Sequence, residues 1–205
     1  MSNKVVIIDY GMGNVFSVKN ALDALKVESM VSNKPEEIAS ATHLILPGVG
    51  AFAEGMESLR SRTLIPLLEE EALRKKKPFL GICLGMKLLA TESEEHGSHK
   101  GLGWIPGRVK RLLLDEKEYA VPHMGWNDVA PRGECILFKD ISNSVFYFVH
   151  SYHFDVVDKQ TVAATCDYGG EFTAAVQKGN IFGVQFHPEK SQKSGLQLLS
   201  NFLHA

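Results

Sequence analysis

Residues 78–85 read Pro-Phe-Leu-Gly-Ile-Cys-Leu-Gly, so an apolar run passes directly into the pattern G-x-C-x-G. The apolar run is typical of a buried strand, and Gly81 and Gly85 allow a sharp turn into a following helix. With serine at its centre this pattern is a nucleophile elbow, which projects the central side chain above a sheet. The stretch therefore predicts a strand, an elbow and a helix, with Cys83 as a nucleophile.

The chemistry predicted for Cys83 follows from its place at the start of a helix. Helix N-termini stabilise nearby anions, so the pKa of the thiol is expected to fall and the thiolate to be favoured. The backbone N–H of Leu84 would then point at an oxyanion formed on the carbon that Cys83 attacks. The alternative is a buried cysteine in a glycine-rich turn.

Outward from this elbow, strands and helices alternate through the first half of the chain. Strands are predicted at 4–9, 28–31, 43–46 and 78–82, with helices at 15–25, 52–60, 64–75 and after Cys83. This alternation predicts an α/β fold with a mostly parallel central sheet flanked by helices on both faces.

The second half of the chain has a different pattern of apolar residues. Short β-branched and aromatic runs occur at 108–114, 145–149, 152–157, 161–166, 172–176 and 181–186, followed by a helix near 195–203. These runs predict antiparallel or mixed β additions to the same sheet. No linker, repeat or low-complexity segment separates the halves, so residues 1–205 are expected to form one domain.

The composition excludes several classes of function. The chain has 205 residues, of which 44% are hydrophobic and 22% charged, and this composition is typical of a soluble globular protein. Its net charge of −2 does not indicate a basic surface for binding nucleic acid. The apolar runs are too short to span a membrane and no signal peptide is indicated, so a cytoplasmic location is expected. Three separated cysteines predict neither a disulfide framework nor a thiolate metal site, which leaves Cys135 and Cys166 as core residues.

A base for the thiol is predicted at His187-Pro188-Glu189, which follows an apolar run. Pro188 disfavours a helical conformation for His187, so the segment stays extended. Residues two apart in an extended chain face the same side, so Glu189 can hydrogen-bond His187 and stabilise its imidazolium. The alternative is a loop histidine beside a solvated glutamate.

Two glycine-rich turns are candidate ligand sites. Pro47-Gly48-Val49-Gly50 follows a predicted parallel strand, where ligands of open α/β sheets bind, but a simple turn is an equal alternative. The stretch from Gly11 to Phe16 has the first two glycines of a dinucleotide fingerprint, but phenylalanine replaces the third. We therefore expect no nucleotide, metal or other cofactor.

Together these segments resemble the class I (triad) glutamine amidotransferases, and more narrowly the glutaminase subunits of imidazole glycerol phosphate synthase. The resemblance covers essentially the whole chain. It is carried by DYGMGN (9–14), LPGVG (46–50), GICLGM (81–86), PHMGWN (122–127), YFVHSY (147–152) and QFHPEKS (185–191). The elbow and HPE are shared by the whole class, whereas MGWN and FVHSY narrow the resemblance to these subunits.

The resemblance implies a mechanism for glutamine hydrolysis. Cys83 attacks the carboxamide of glutamine, His187 moves the proton to the departing ammonia, and Glu189 orients His187. The resulting thioester is hydrolysed to glutamate. The oxyanion hole would use the N–H of Leu84 and one from the Val49–Gly50 segment, which reorients to become competent.

The resemblance also implies contacts beyond the triad. Glu95, Ser151 and Tyr152 match positions that contact glutamine. The positions facing a synthase subunit are matched by Trp126, Tyr147 and Lys190. That subunit is a (βα)8 barrel, which forms a heterodimer with the glutaminase and receives ammonia through a tunnel. Without the resemblance, an aromatic such as Trp126 is more often a core residue.

Lys87 departs from the family pattern, which usually has glutamine four residues after the cysteine. A lysine there can pair with the carboxylate of the substrate or turn to solvent, or it can mark a paralogue. Three hypotheses follow: a glutaminase for imidazole glycerol phosphate formation in histidine biosynthesis, a glutaminase feeding amidination of a surface-polysaccharide sugar, or a catalytically silent partner-binding subunit. The intact triad disfavours the last.

Overall fold

A large mixed sheet forms the centre of the computed structural model, which describes residues 3–115 and 117–205. The strands of the chain are β1 (Lys4–Ile8), β2 (Glu28–Ser32), β3 (His43–Gly48), β4 (Phe79–Cys83), β5 (Glu92–Ser93), β6 (His99–Lys100), β7 (Gly107–Arg111), β8 (His123–Pro131), β9 (Val145–His150), β10 (Tyr152–Val156), β11 (Val162–Asp167), β12 (Glu171–Lys178) and β13 (Ile181–Val184). The helices are α1 (Val15–Ala24), α2 (Pro35–Ser40), α3 (Phe52–Ser61), α4 (Leu64–Leu68), α5 (Leu84–Leu88) and α6 (Gln192–Phe202).

Within the described ranges the large sheet has nine strands in the order β2-β1-β3-β4-β13-β12-β11-β8-β9. Pairing is parallel from β2 to β13 and antiparallel from β13 to β9. The predicted α/β class with antiparallel additions is confirmed. The parallel part places β4 between β3 and β13, so three carboxyl ends meet at one edge.

Helices cover both faces of the parallel part. Along β1, Val5 and Ile7 face one hydrophobic cluster while Val6 and Ile8 face another, as the two-residue period of a strand requires. Helices α1 and α6 contribute to the first cluster, and α2 to α5 contribute to the second. This arrangement explains the continuous apolar runs of the first strands, since each strand is buried on both sides.

Two predicted strands lie outside the large sheet. The runs at 108–114 and 152–157 became β7 and β10, which pair with each other and, through β7, with β5 and β6 in a separate four-stranded sheet. Their inward side chains, Val109, Phe154 and Val156, pack into the cluster that α2 to α5 share. The expectation that these strands join the main sheet was therefore wrong, because strand pattern gives the buried face and not the pairing partner.

Further differences concern elements without a simple apolar pattern. No pattern in the sequence predicts α2, β5 or β6, nor β8, whose outer side chains are exposed and which contains Gly125. The predicted helix at 64–75 begins as α4 and continues as a π-helical segment, Glu69–Arg74. Among the described residues, no helix is long and apolar enough to cross a membrane.

Candidate active site

The elbow at Cys83 has the predicted geometry. Cys83 lies between β4 and α5 with φ of 53° and ψ of −105°, a conformation that non-glycine residues rarely adopt. A Cβ atom at Gly81 would lie 2.6 Å from the carbonyl oxygen of Gly85, and one at Gly85 would lie 1.8 Å from that of Leu46. Both glycines are therefore required for β3, β4 and α5 to approach this closely.

His187 and Glu189 form the predicted pair just beyond β13. His187 Nδ1 lies 2.7 Å from Glu189 Oε1, and both side chains are almost fully buried. Because a carboxylate can only accept, Nδ1 donates this hydrogen bond. His187 Nε2 has no partner among the described residues, and it is thus the nitrogen left to exchange a proton with a thiol.

The electrostatics of the site favour a thiolate and an imidazolium. Burial alone would raise the pKa of Cys83, but the interaction with the neighbouring His187 and the charge of Lys87 lower it. Burial likewise opposes charge on His187, yet its interactions with Cys83 and Glu189 raise its pKa to about 10. By contrast, burial raises the pKa of Cys135, and that of Cys166 to about 12. Only Cys83 among the three cysteines has an environment suited to a nucleophile.

Sequence reasoning missed a third residue on the same segment, Gln185. Its side-chain Nε2 donates to Cys83 Sγ at 3.7 Å, and the residue is fully buried. Gln185 and His187 follow β13, whereas Glu189 lies in a short 3-10 helix, Pro188–Lys190. The predicted extended conformation therefore holds at His187 and is wrong for Glu189, which still reaches the imidazole. The signal was present as a period-two row of polar residues in an otherwise apolar run.

The predicted oxyanion segment lies beside the elbow. Gly48 is the register partner of Cys83 across β3 and β4, and a Cβ on it would lie 2.9 Å from Leu84 Cβ. Val49 and Gly50 line the same cavity as Cys83, and Gly50 has φ of 103°. The Val49–Gly50 segment therefore lies close enough to Cys83 to contribute to an oxyanion hole. Which backbone N–H groups donate there stays a prediction.

A cavity of about 490 Å³ opens above Cys83, within the usual range for small-ligand sites. We call it the active-site cavity. It is lined by Val49, Gly50, Cys83, Lys87, Glu95, His96, Arg111, Val121, Pro122, Val149, His150, Ser151 and Tyr152. All four residues predicted to bind substrate, which are Lys87, Glu95, Ser151 and Tyr152, are in this lining.

Lys87 is buried in this cavity, with 4% of its surface exposed. Its Nζ lies 3.9 Å from Glu95 Oε2, and the same oxygen accepts the backbone N–H of Phe52 at 3.1 Å. The alternative in which Lys87 turns to solvent is therefore wrong. Glu95 instead links the elbow helix α5 to the first residue of α3, just after the Val49–Gly50 segment.

The three residues predicted to face a partner form one surface cluster. Trp126 and Tyr147 are register partners on β8 and β9, with ring centroids 6.0 Å apart. Lys190 Nζ lies 5.6 Å from the centre of the Tyr147 ring, within the range of a cation–π contact. Trp126 is 48% exposed, so it is not a core residue.

Comparison with known proteins decides the family. A family model described as glutamine amidotransferase class-I matches residues 6–205. The chain belongs to the class I glutamine amidotransferases. It is therefore an enzyme of the glutaminase type.

Several curated relatives of this amidotransferase are similar along nearly their whole length. Imidazole glycerol phosphate synthase subunit HisH 2 of Methanococcus maripaludis is 49% identical, covering 97% of this chain and 98% of the relative. The HisH subunit of Zymomonas mobilis is 47% identical, covering 98% and 96%. That of Moorella thermoacetica is 49% identical, covering 97% and 93%.

Solved structures agree on the fold of the amidotransferase. The structure of PurLQS from Thermotoga maritima superimposes with a TM-score of 0.74 at 19% identity, covering 100% of this chain and 99% of the other. Another, described as a glutamine amidotransferase, gives a TM-score of 0.73 at 20% identity, covering 98% and 97%. At such identities the likeness shows the fold alone.

We expect Lys87→Gln in this amidotransferase to lower the Michaelis constant for glutamine and to raise the pH at which Cys83 is half-maximally alkylated. The resemblance implies that Glu95 contacts glutamine, and removing the lysine would free its carboxylate for the α-ammonium. Cys83 would also lose a cation that favours its thiolate. Steady-state kinetics and iodoacetamide labelling against pH measure the two effects. Lys100→Gln, on the exposed surface, is the matched control; an unchanged labelling profile in Lys87→Gln would contradict the electrostatic role.

Proposed function

We propose that this amidotransferase is the glutaminase subunit of imidazole glycerol phosphate synthase and supplies ammonia for histidine biosynthesis. The observation that carries the proposal is the 47–49% identity to three curated subunits of that synthase over nearly the full length of each chain. Of the hypotheses drawn from the sequence, these relatives favour this one over sugar amidination. The preformed triad speaks against a catalytically silent subunit.

The proposed reaction begins when the Cys83 thiolate attacks the carboxamide carbon of glutamine. A carbon–sulfur bond forms, and the negative charge moves to the carboxamide oxygen, which accepts hydrogen bonds from the N–H of Leu84 and from the Val49–Gly50 segment. The carbon–nitrogen bond then breaks as the imidazolium of His187 protonates the departing amine. Ammonia leaves, and a thioester to Cys83 remains.

Hydrolysis of the thioester completes the cycle. Neutral His187 accepts a proton from a water molecule that attacks the thioester carbon. The carbon–sulfur bond then breaks, glutamate leaves, and the Cys83 thiolate forms again next to the imidazolium. Glu189, hydrogen-bonded to Nδ1, keeps Nε2 directed at the reacting atoms throughout. Gln185, which follows β13, donates a hydrogen bond to the sulfur of Cys83 and so helps to hold it in place.

Glutamine is proposed to lie in the active-site cavity. The carboxylate of Glu95 is suited to the α-ammonium of the substrate, and Ser151 and Tyr152 offer polar groups on the facing wall. Lys87 shares Glu95, and in the wild-type chain it competes with the substrate ammonium for that carboxylate. The cavity therefore contains a carboxylate for the ammonium of a free amino acid and polar groups for the rest of it.

The proposed partner is the (βα)8-barrel cyclase subunit, bound as a heterodimer at the Trp126–Tyr147–Lys190 cluster. The backbone of Tyr147 supports this choice, because its carbonyl accepts the N–H of His187 at 2.9 Å and its N–H donates to Ser191 Oγ at 3.0 Å. A partner pressing on Tyr147 would thus act directly on the segment that carries the base. We place this activity in the cytoplasm, in a single amidotransferase domain of residues 1–205.

Glutamine hydrolysis by the isolated chain is expected to be weak and to rise by about a hundredfold with the cyclase and imidazole glycerol phosphate present. Such a gain is typical of a coupling free energy between two sites, and gating avoids the waste of glutamine. An assay for glutamate release measures it. Trp126→Ala should lose most of the gain, whereas Val157→Ala, at an exposed residue just after β10, should keep it. Full glutaminase activity of the isolated chain would rule out activation by the partner.

A further inference from the structure

Two buried histidines that take no part in the triad face each other behind the active-site cavity. His123 on β8 and His150 on β9 are register partners, with 2% and 5% of their surfaces exposed. His123 Nδ1 lies 3.1 Å from His150 Nε2. Two imidazoles in contact raise the question of which nitrogen carries each proton.

The surrounding groups fix both tautomers. His150 Nδ1 lies 3.0 Å from the carbonyl oxygen of Tyr152, and a carbonyl can only accept, so this nitrogen carries a proton. Neutral His150 then accepts at Nε2, and His123 must donate from Nδ1. His123 Nε2 is left as the acceptor for Asn127 Nδ2 at 3.5 Å. The result is a directed chain of donors from Asn127 through the two histidines to the Tyr152 carbonyl.

The pair is held neutral and immobile. Burial lowers the pKa of His123 to about 4, and burial also sets the pKa of His150 well below its ordinary range. The His123 ring is stacked against Tyr168 at 3.9 Å and against Phe148 at 4.8 Å between centroids. Neither ring can rotate without breaking a stack or a hydrogen bond.

The chain of donors ends at the substrate wall. His150 lines the active-site cavity, and the carbonyl that it holds belongs to Tyr152, next to Ser151. A hydrogen bond from a fixed ring to this carbonyl restricts the rotation of the peptide units on either side of it. The position of the Ser151–Tyr152 wall is therefore set by His150, and the position of His150 by His123.

We infer that His123 and His150 are positioning residues, which fix the Ser151–Tyr152 wall for glutamine binding. This inference rests on the proposed function, because that function assigns glutamine to this wall. Neither histidine is needed for the transfer of a proton, since His187 and Glu189 carry that step. The expected consequence of disturbing the pair is a loss of glutamine affinity with chemistry largely intact.

His123→Phe tests the inference, because a phenyl ring keeps the stacks against Tyr168 and Phe148 and removes the donor to His150. We expect the Michaelis constant for glutamine to rise about tenfold with kcat changed less than about twofold, the scale expected when a buried acceptor loses its partner. His123→Gln, whose amide can donate to His150, should restore most of the affinity. His204→Phe, at an exposed residue just beyond α6, is the matched control.

A second readout separates this inference from the proposed function. Calorimetry of glutamine binding to the Cys83→Ala chain measures affinity without turnover, and adding His123→Phe should weaken it by about tenfold. Equal affinity with and without His123→Phe, in a chain that binds glutamine, would overturn the positioning role alone. A Cys83→Ala chain that binds no glutamine would overturn the proposed function as well. Equal losses in His123→Phe and His123→Gln, matched by equal losses in melting temperature, would reduce the pair to a core contact.

Discussion

Replacing Cys83 by alanine is expected to reduce glutamine hydrolysis by at least about 10⁴-fold while leaving the fold and partner binding unchanged. Removal of a nucleophile from a triad leaves only the contribution of binding and of the oxyanion hole, which accounts for losses of this size. The backbone cost of positive φ at this position is the same for alanine as for cysteine. Glutamate release and the melting temperature, measured on the same preparation, test both halves of the expectation.

Selective labelling supplies the control for this assignment. A glutamine-mimicking electrophile should modify Cys83, whose pKa is lowered, and spare Cys135 and Cys166, whose pKa values are raised by burial. Cys166→Ala is the matched control variant, and it should retain glutaminase activity and the labelling of Cys83. Mass spectrometry that found all three cysteines modified at equal rates would contradict the role given to the elbow.

His187→Asn is expected to reduce turnover by about 10³- to 10⁵-fold, because the thiol then has no base and the ammonia no acid. Glu189→Gln should be about a hundredfold less damaging, since the amide oxygen can still accept from Nδ1 while the negative charge is lost. Initial rates of glutamate release across a range of pH measure both variants. His204→Asn is the control on the exposed surface.

The pH profile adds a signed test of the same pair. Activity requires the thiolate and the imidazolium together, so it should fall as pH rises through about 10, where His187 loses its proton. On the acid side, activity should fall where Cys83 gains a proton, and this pH should lie below the usual pKa of a thiol because the pKa of Cys83 is lowered. Glu189→Gln removes a charge that raises the pKa of His187, so the alkaline limb should move to lower pH. Wild-type activity in His187→Asn, or an alkaline limb unmoved by Glu189→Gln, would refute this pairing.

The sequence alone predicted those parts of the site that local chemistry specifies. The elbow at Cys83 and the extended backbone at His187 were found because glycine and proline restrict the backbone in a way that few other residues do. The parallel half of the sheet was found because strands buried on both faces are uniformly apolar. In each case a short stretch of chain contains the whole physical reason for its structure.

What the sequence did not reveal depends on which distant groups meet. The burial of Lys87 becomes understandable only with Glu95 beside it, and a lone lysine in a sequence normally indicates exposure. The separate sheet of β7 and β10 follows from packing on a face of the main sheet, which strand pattern does not encode. The His123–His150 pair depends on the register of β8 with β9, and β8 gave no strand signal at all.

The pairing of β4 with β13 has a consequence for how activity arises during folding. These neighbouring strands come from distant parts of the chain, and Gln185 and Cys83, which touch across them, are 102 residues apart in sequence. Closing so long a loop carries an entropic cost that contacts between nearby residues do not, so long-range pairings are slow to form. Until the two strands join, the thiol lacks the base His187, and Lys87 on the adjoining helix is the nearby cation that remains. The native topology thus delays the full activation of the sulfur until β13 has joined the sheet.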